Sequence, residues 1–242
     1  MKNRKKLVVL TGAGVSAESG ITTFRDSNGL WENHRVEEVA SIEGWYMNPA
    51  LVLDFYNQRR AQLADVRPNT AHLAIASLEK DWDVTVVTQN VDNLHERAGS
   101  TRIIHLHGEL TKVRPENCYN EMDNFSTESV FDIGFDSIEI GDKAPNGAQL
   151  RPHIVWFGEA VPMIGQAMDA VEHADVILIV GTSLQVYPAA GLYRYAKADT
   201  PIYIIDPKEL SVRDSRLIHI KDVATKGMET FISILNDNET SK

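Results

Sequence analysis

The apolar positions of this chain fall into short runs separated by longer stretches of mixed polarity. Five runs stand out, at residues 6–11, 83–88, 102–105, 175–180 and 201–205. They are rich in β-branched residues, and all but the third are almost continuously apolar, the pattern of strands covered on both faces. Between them, residues 71–80 and 165–173 repeat their apolar side chains at helical spacing. Residues 225–235 read as a closing helix, and 236–242 as a frayed polar tail. Strands alternating with helices predict an α/β fold with a parallel sheet and helices on both faces.

Two stretches break the alternation. Residues 28–67 carry a mostly helical pattern with no clear strand. Residues 114–150 are polar, irregular and rich in Gly, Asp and Asn, with an apolar patch at 130–140. Both read as insertions that together build a smaller domain. The expected division is 1–31, 67–111 and 151–242 for the sheet domain, and 32–66 with 112–150 for the small one. Open α/β sheets bind ligands at the carboxyl ends of their strands, so a cleft beside such a lobe is the expected site.

Composition narrows the picture further. A length of 242 residues suits one large and one small unit sharing a core. No apolar run approaches the ~20 residues that span a bilayer, and residues 7–10 are too short for a signal-peptide core. A cytoplasmic protein without membrane association is expected. The net charge of −10 argues against non-specific nucleic-acid binding, which needs a basic footprint. The single cysteine, Cys118, excludes an internal disulfide and any multi-cysteine metal site within one chain.

The first run leads into Thr11-Gly12-Ala13-Gly14-Val15-Ser16-Ala17-Glu18-Ser19-Gly20. Gly12, Gly14 and Ala17 fit the G-x-G-x-x-G/A spacing after a strand and before a helix. Such a turn lets a pyrophosphate approach the backbone and sit on free N–H groups. A hydride-transfer enzyme should next supply a second strand ending in an acid about 20 residues on, to hold the adenosine ribose. Instead the chain gives Phe24-Arg25-Asp26-Ser27-Asn28-Gly29-Leu30-Trp31, a turn-rich stretch that reads as a loop. The nucleotide site is therefore built differently.

Gln89, Asn90 and Asp92 follow the apolar run 83–88, so they sit at a strand's carboxyl end. An amide and a carboxylate there suit a carboxamide and ribose hydroxyls. His107 follows the run 102–106, and an imidazole suits proton removal near neutral pH. His105 lies two residues away and, on a strand, would face the same side. The residues alone do not rank the two.

Gly12-Ala13-Gly14-Val15-Ser16 with Ser19-Gly20-Ile21 and Phe24-Arg25-Asp26 resembles the nucleotide loop of the sirtuins. The blocks Thr88-Gln89-Asn90-Val91-Asp92-Asn93-Leu94-His95, His107-Gly108-Glu109, Phe157-Gly158-Glu159 and Gly181-Thr182-Ser183 follow in sirtuin order. The likeness is to bacterial members of the class III type, which remove succinyl and malonyl as well as acetyl groups. It implies a Rossmann-like large domain plus a small one, with NAD+ as co-substrate and acylated-lysine proteins or peptides as partners. The acyl oxygen attacks the ribose carbon that carries nicotinamide, and nicotinamide and 2'-O-acyl-ADP-ribose are released.

By the same resemblance His107 is the general base, Asn90 positions ribose and water, and Asp92 holds the nicotinamide amide. Phe24 and Arg25 lie over the reacting centre, with Asp26 among the NAD+ contacts, and Gly181, Thr182 and Ser183 line the adenosine side. Ala13, Ser16, Ala17, Glu18, Trp31, Gln89, Val91 and Ala224 complete the implied NAD+ contacts. Val155, Phe157, Gly158 and Glu159, with Val186 opposite, would clamp the substrate peptide as an added strand. His95 reads as structural.

Tyr56 and Arg59 are spaced i, i+3 on the helix-like stretch 51–63, so they project from one face. Any exposed helix carries such pairs. In the sirtuin context, Tyr56-Asn57-Gln58-Arg59 resembles the Tyr-x-x-Arg of class III, in which a phenol and a guanidinium grip an acyl carboxylate. Arg60 is turned roughly 100° away and is the weaker candidate.

Two departures from the family matter. Most sirtuins hold a structural zinc with two cysteine pairs, and residues 112–152 contain only Cys118, so no bound zinc is expected. Val130, Phe131, Ile133, Phe135, Ile138 and Ile140 are expected to form a small core in its place. Asp206 stands where the family usually has Asn, and can accept bonds from both ribose hydroxyls. ADP-ribosyl transfer, NAD+ hydrolysis or a non-catalytic NAD-sensing role are the competing readings. A monomer is expected.

Overall fold

The computed structural model describes residues 4–22, 30–31, 34–117, 129–209 and 214–240. The chain begins with β1 (Lys6–Thr11), the short helix α1 (Gly14–Ala17), and the paired strands β2 (Leu30–Trp31) and β3 (His34–Arg35). Helices α2 (Val36–Val39), α3 (Ile42–Met47), α4 (Pro49–Asp65) and α5 (Thr70–Ser77) follow. Next come β4 (Asp83–Thr88), α6 (Leu94–Ala98), β5 (Ile103–His105), β6 (Gly108–Pro115), β7 (Phe131–Asp132) and β8 (Leu150–Ile154). The chain closes with α7 (Ile164–Glu172), β9 (Val176–Val180), β10 (Ile202–Ile205), β11 (Leu217–Ile220) and α8 (Ala224–Thr240).

Six strands form one wholly parallel sheet in the order β11-β10-β9-β1-β4-β5. Read from β5, that is 3-2-1-4-5-6, the doubly wound order whose switch point lies between the first and fourth strands, here β1 and β9. Side chains alternate across the sheet. Leu7 and Val9 pack with Ile75, Met228 and Phe231 from α5 and α8, whereas Val8 and Leu10 pack with Ala167, Val171 and Leu192 on the other face. Burial on both faces explains the unbroken apolar runs.

A third core gathers Trp45, Val52, Phe55, Tyr56, Leu110, Val113, Ile138, Ile154 and Trp156. It lies under the antiparallel sheet β7-β6-β8 and helices α2 to α4. Asn48 caps α4 by accepting from Leu51 N, with Pro49 at the first helical position. Asn69 caps α5 in the same way.

Several expectations change. β11 was not foreseen, and residues 236–240 continue helix α8 instead of fraying. The stretch 28–67 contains the strand pair β2–β3. The expected breaks at 111/112 and 150/151 fall within or beside β6 and β8, which pair with each other in the smaller sheet. The apolar patch 130–140 does not form a core of its own. Ile138 is buried and Ile133 partly so, but Phe131, Phe135 and Ile140 are exposed. No described helix is long and apolar enough to cross a membrane.

Candidate active site

The loops after β1 and β9 meet at the switch point. Gly12 N donates to Val180 O (3.1 Å) and Gly14 N to Gly181 O (2.8 Å). A Cβ on Gly14 would lie 2.6 Å from Gly181 Cα, and one on Gly181, whose φ is +63°, 2.4 Å from Val15 N. These glycines thus bring two loops into contact. The N–H groups of Gly12 and Gly14 are held by the carbonyls at the end of β9, which leaves the turn and helix that follow for a pyrophosphate.

From this junction opens a cavity of about 590 Å³. Gly12, Ala13, Gly14, Ser16, Ala17, Glu18 and Trp31 line it, with Gln89, Asn90, Val91, Asp92 and His107 from the ends of β4 and β5. Gly181, Thr182, Ser183, Val186, Asp206 and Ala224 line it from the β9 and β10 side, and Tyr56, Arg59, Val155, Phe157, Gly158 and Glu159 from the smaller core. Phe24, Arg25 and Asp26 lie outside the described residues. The sequence reading missed Gln62, Leu63 and Val66 of α4 and its flank, and gave Trp156 no role. All four line the same cavity.

Asn90 and Asp92 are almost fully buried. Asn90 Nδ2 donates to Gly12 O (3.2 Å) and Ser16 Oγ (3.1 Å), and a carbonyl partner fixes which end of the amide carries the nitrogen. Ser16 Oγ donates to Asp92 Oδ2 (2.9 Å), and Leu94 N to Asp92 Oδ1 (3.1 Å). Burial pushes the Asp92 carboxyl up, and those two bonds oppose it. Gln89 is tethered by Nε2 to Thr182 Oγ1 (3.1 Å).

The two histidines left unranked by sequence separate cleanly. His107 Nδ1 is 3.0 Å from Gln89 O. A carbonyl only accepts, so the proton sits on Nδ1 and Nε2 keeps its lone pair. Burial lowers the His107 pKa, against the Gln89 bond, which raises it. His105 does not line the cavity, because the chain leaves the strand after it. Its ring spans Asn90 O (3.2 Å) and Glu96 Oε1 (2.7 Å). Burial lowers its pKa, but the Glu96 bond and the charges of Glu96 and Glu109 outweigh that and raise it. His95 is buried against Thr11 Oγ1 (3.1 Å), its pKa lowered to about 3 by burial.

Some expected ligand contacts have other work. The Glu18 carboxylate accepts from Thr225 N (3.0 Å) and Oγ1 (2.8 Å), capping α8 beside Ala224. Glu159 accepts from Arg114, Arg151 and Trp156 N, so its carboxylate anchors the loop from within. Phe157 pairs its backbone with Ala40 O and Ile42 N, and Val155 N donates to His107 O. Among the described residues this leaves the Val155 carbonyl and the Gly158 backbone for an added strand. Asp206 is buried, with Oδ1 accepting from Lys208 N (2.9 Å).

On α4, Tyr56 is buried and its Oη accepts from Trp156 Nε1 (2.9 Å). Burial pushes its phenol pKa up well beyond the usual tyrosine range. Arg59 lies one turn on, its guanidinium carbon 5.5 Å from the Phe55 ring. Arg60 is fully buried and donates to Leu110 O (2.8 Å) and Asn57 Oδ1 (2.7 Å), a tether within the lobe.

A 3-2-1-4-5-6 sheet with a glycine turn at its switch point defines a Rossmann-like α/β protein. Residues 12–188 match the Sir2 family, and the chain belongs to that family. A Bacteroides thetaiotaomicron protein named NAD-dependent protein deacylase is 54% identical over 234 residues, covering 96% of this chain and 98% of its own. A Helicobacter pylori protein of the same name is 57% identical over 204 residues, covering 84% and 85%. Among solved structures, a Sir2 homolog–NAD complex superposes with a TM-score of 0.82 at 38% identity, covering 98% of this chain and 91% of that one. A mutant Sir2 homologue bound to ADP-ribose gives 0.84 at 38% identity, covering 99% and 95%.

Proposed function

We propose that this chain is an NAD+-dependent protein-lysine deacylase that removes succinyl and malonyl as well as acetyl groups, releasing nicotinamide and 2'-O-acyl-ADP-ribose. Family membership and relatives named for this activity support the deacylase reading. The acyl preference rests on one observation: Tyr56 and Arg59 line the same cavity as His107. A carboxylate there meets a phenol proton and a guanidinium, and charge-assisted bonds of this kind are roughly twice as strong as neutral ones.

NAD+ supplies an electrophilic ribose carbon when bound. His107 Nε2 takes the proton of a ribose hydroxyl, while Nδ1–H stays on Gln89 O. Asn90, its Nδ2 held by Gly12 and Ser16, turns its amide oxygen to the ribose and water. Asp92 receives the carboxamide of nicotinamide. Gly181, Thr182, Ser183 and Asp206 receive the adenosine half. The Val155 carbonyl and Gly158 pair with the substrate backbone.

The deciding experiment offers acetyl-, succinyl- and malonyl-lysine peptides with and without NAD+, read by mass, to the wild type and to Arg59→Met. Arg59→Met should lose desuccinylation by roughly 10- to 100-fold more than deacetylation, the worth of one charged hydrogen bond. Equal losses would make Arg59 structural. ADP-ribosylated peptide without acyl transfer would favour the transferase reading. We propose a cytoplasmic monomer as the setting, checked by fractionation and size-exclusion with light scattering.

A further inference from the structure

The Trp156 indole stands between the buried ion cluster and the acyl-binding helix. Its backbone N donates to Glu159 Oε2 (2.8 Å), and Glu159 is held in turn by Arg114 and Arg151. The Arg151 guanidinium carbon lies 3.4 Å from the centre of the Trp156 ring, and Trp45 packs on it at 5.5 Å between centroids. The ring is therefore fixed by three neighbours. From that position Nε1 reaches Tyr56 Oη at 2.9 Å, with both side chains at most 2% exposed.

An indole nitrogen can only donate, so the phenol oxygen accepts here and its own proton must point elsewhere. Among the described residues nothing accepts that proton, and Tyr56 borders the cavity shared with Arg59. A buried donor left without an acceptor is costly, and an acyl carboxylate would satisfy it. We infer that Trp156 is a specificity-determining positioning residue: its indole N–H orients the Tyr56 hydroxyl so that the phenol presents a proton, and not a lone pair, to an acidic acyl group. Desolvation keeps the phenol protonated, so the donor persists at every pH the enzyme meets. Without the indole donor, Tyr56 can rotate its proton toward the vacated side and turn a lone pair to the carboxylate, which repels it.

The inference rests on the acidic-acyl reading above, and the test separates the two. Steady-state kcat/KM is measured on succinyl- and acetyl-lysine peptides for wild type, Arg59→Met, Tyr56→Phe, Trp156→Phe and the double variant Tyr56→Phe/Trp156→Phe. Trp156→Phe keeps an aromatic ring under Arg151 and removes the N–H. Its succinyl-to-acetyl ratio should fall about five- to tenfold, the worth of one oriented hydrogen bond, through KM for the succinyl peptide. In the Tyr56→Phe background the same change should produce no further fall in the ratio, because there is no hydroxyl left to orient. An unchanged ratio in Trp156→Phe, or a full additional fall in the double variant, overturns the inference. If Arg59→Met also leaves the ratio unchanged, the acidic-acyl reading itself falls. Should Trp156→Phe fold poorly, benzothienylalanine at this position, which keeps the fused ring and lacks the N–H, gives the same decision.

Discussion

His107 Nδ1 and His105 Nδ1 both donate to backbone carbonyls of the loop after β4, those of Gln89 and Asn90. What differs is the other nitrogen. His107 borders the cavity, whereas His105 Nε2 meets the Glu96 carboxylate, so both His105 nitrogens face acceptors, which favours its protonated form. Neutral imidazole is the useful form for a base, and burial favours it at His107 by lowering its pKa from 6.5. Protonation of His107 removes the lone pair, so activity falls only as pH drops through this lowered pKa. The acidic limb of kcat/KM for NAD+-dependent deacylation should therefore turn below pH 6.5, and a limb centred above 6.5 would exclude His107 as the base. His107→Ala should abolish acyl-peptide-driven nicotinamide release, and unchanged turnover would place the base elsewhere.

At the scale of elements, the site depends on loops from β1 and β9 that touch without side chains between them. Gly181→Ala puts a Cβ at φ +63° and 2.4 Å from Val15 N, so the loops must separate. We expect weaker NAD+ binding, by about tenfold or more, and a loss of several degrees in Tm, as fits a few kcal/mol of combined strain and clash. Isothermal titration and thermal unfolding read both, and a variant with wild-type affinity would show that this contact does not shape the site. The glycines were legible because local spacing encodes them, and so were the buried strands β1 and β4, whose apolar runs need no knowledge of their neighbours. β11 was not. It is one of the sheet's two edge strands, its alternation broken by an exposed Ile218 and by His219, which bonds Asp206 O. Nor was the role of Glu159 or Trp156. Each is set by partners 45 and 100 positions away, Arg114 and Tyr56, and no local pattern carries that distance. Tyr56 and Arg59 were readable as a pair because helical spacing puts them on one face, but the donor behind Tyr56 was not.

For the molecule as a whole, the question is what holds the smaller lobe together with one cysteine in the chain. Glu159 ties β6 to β8 by accepting from Arg114 (3.3 Å) and Arg151 (2.7 Å), with all three side chains nearly dry. Asn57 of α4 clamps the 131–150 segment through both backbone groups of Ile138, donating to its O (2.9 Å) and accepting from its N (3.1 Å). Gln149 closes the same segment by bonding Gly141 N and Glu139 O. These contacts link β6, β8, α4 and the 131–150 segment to one another. Among the described residues Glu96, His105 and Glu109 stand close enough to share a cation, but Lys112 Nζ already lies 2.7 Å from Glu109 and His105 already bonds Glu96. A buried charge that loses its partner is strongly destabilising, by roughly 3–5 kcal/mol, so Glu159→Gln should unfold at a distinctly lower temperature than wild type. Chelator treatment, by contrast, should leave Tm unmoved, and elemental analysis of protein purified without added metal should find far less than one zinc per chain. A stoichiometric zinc with a chelator-sensitive Tm would overturn this account and give the lobe a metal staple that its cysteine content does not predict.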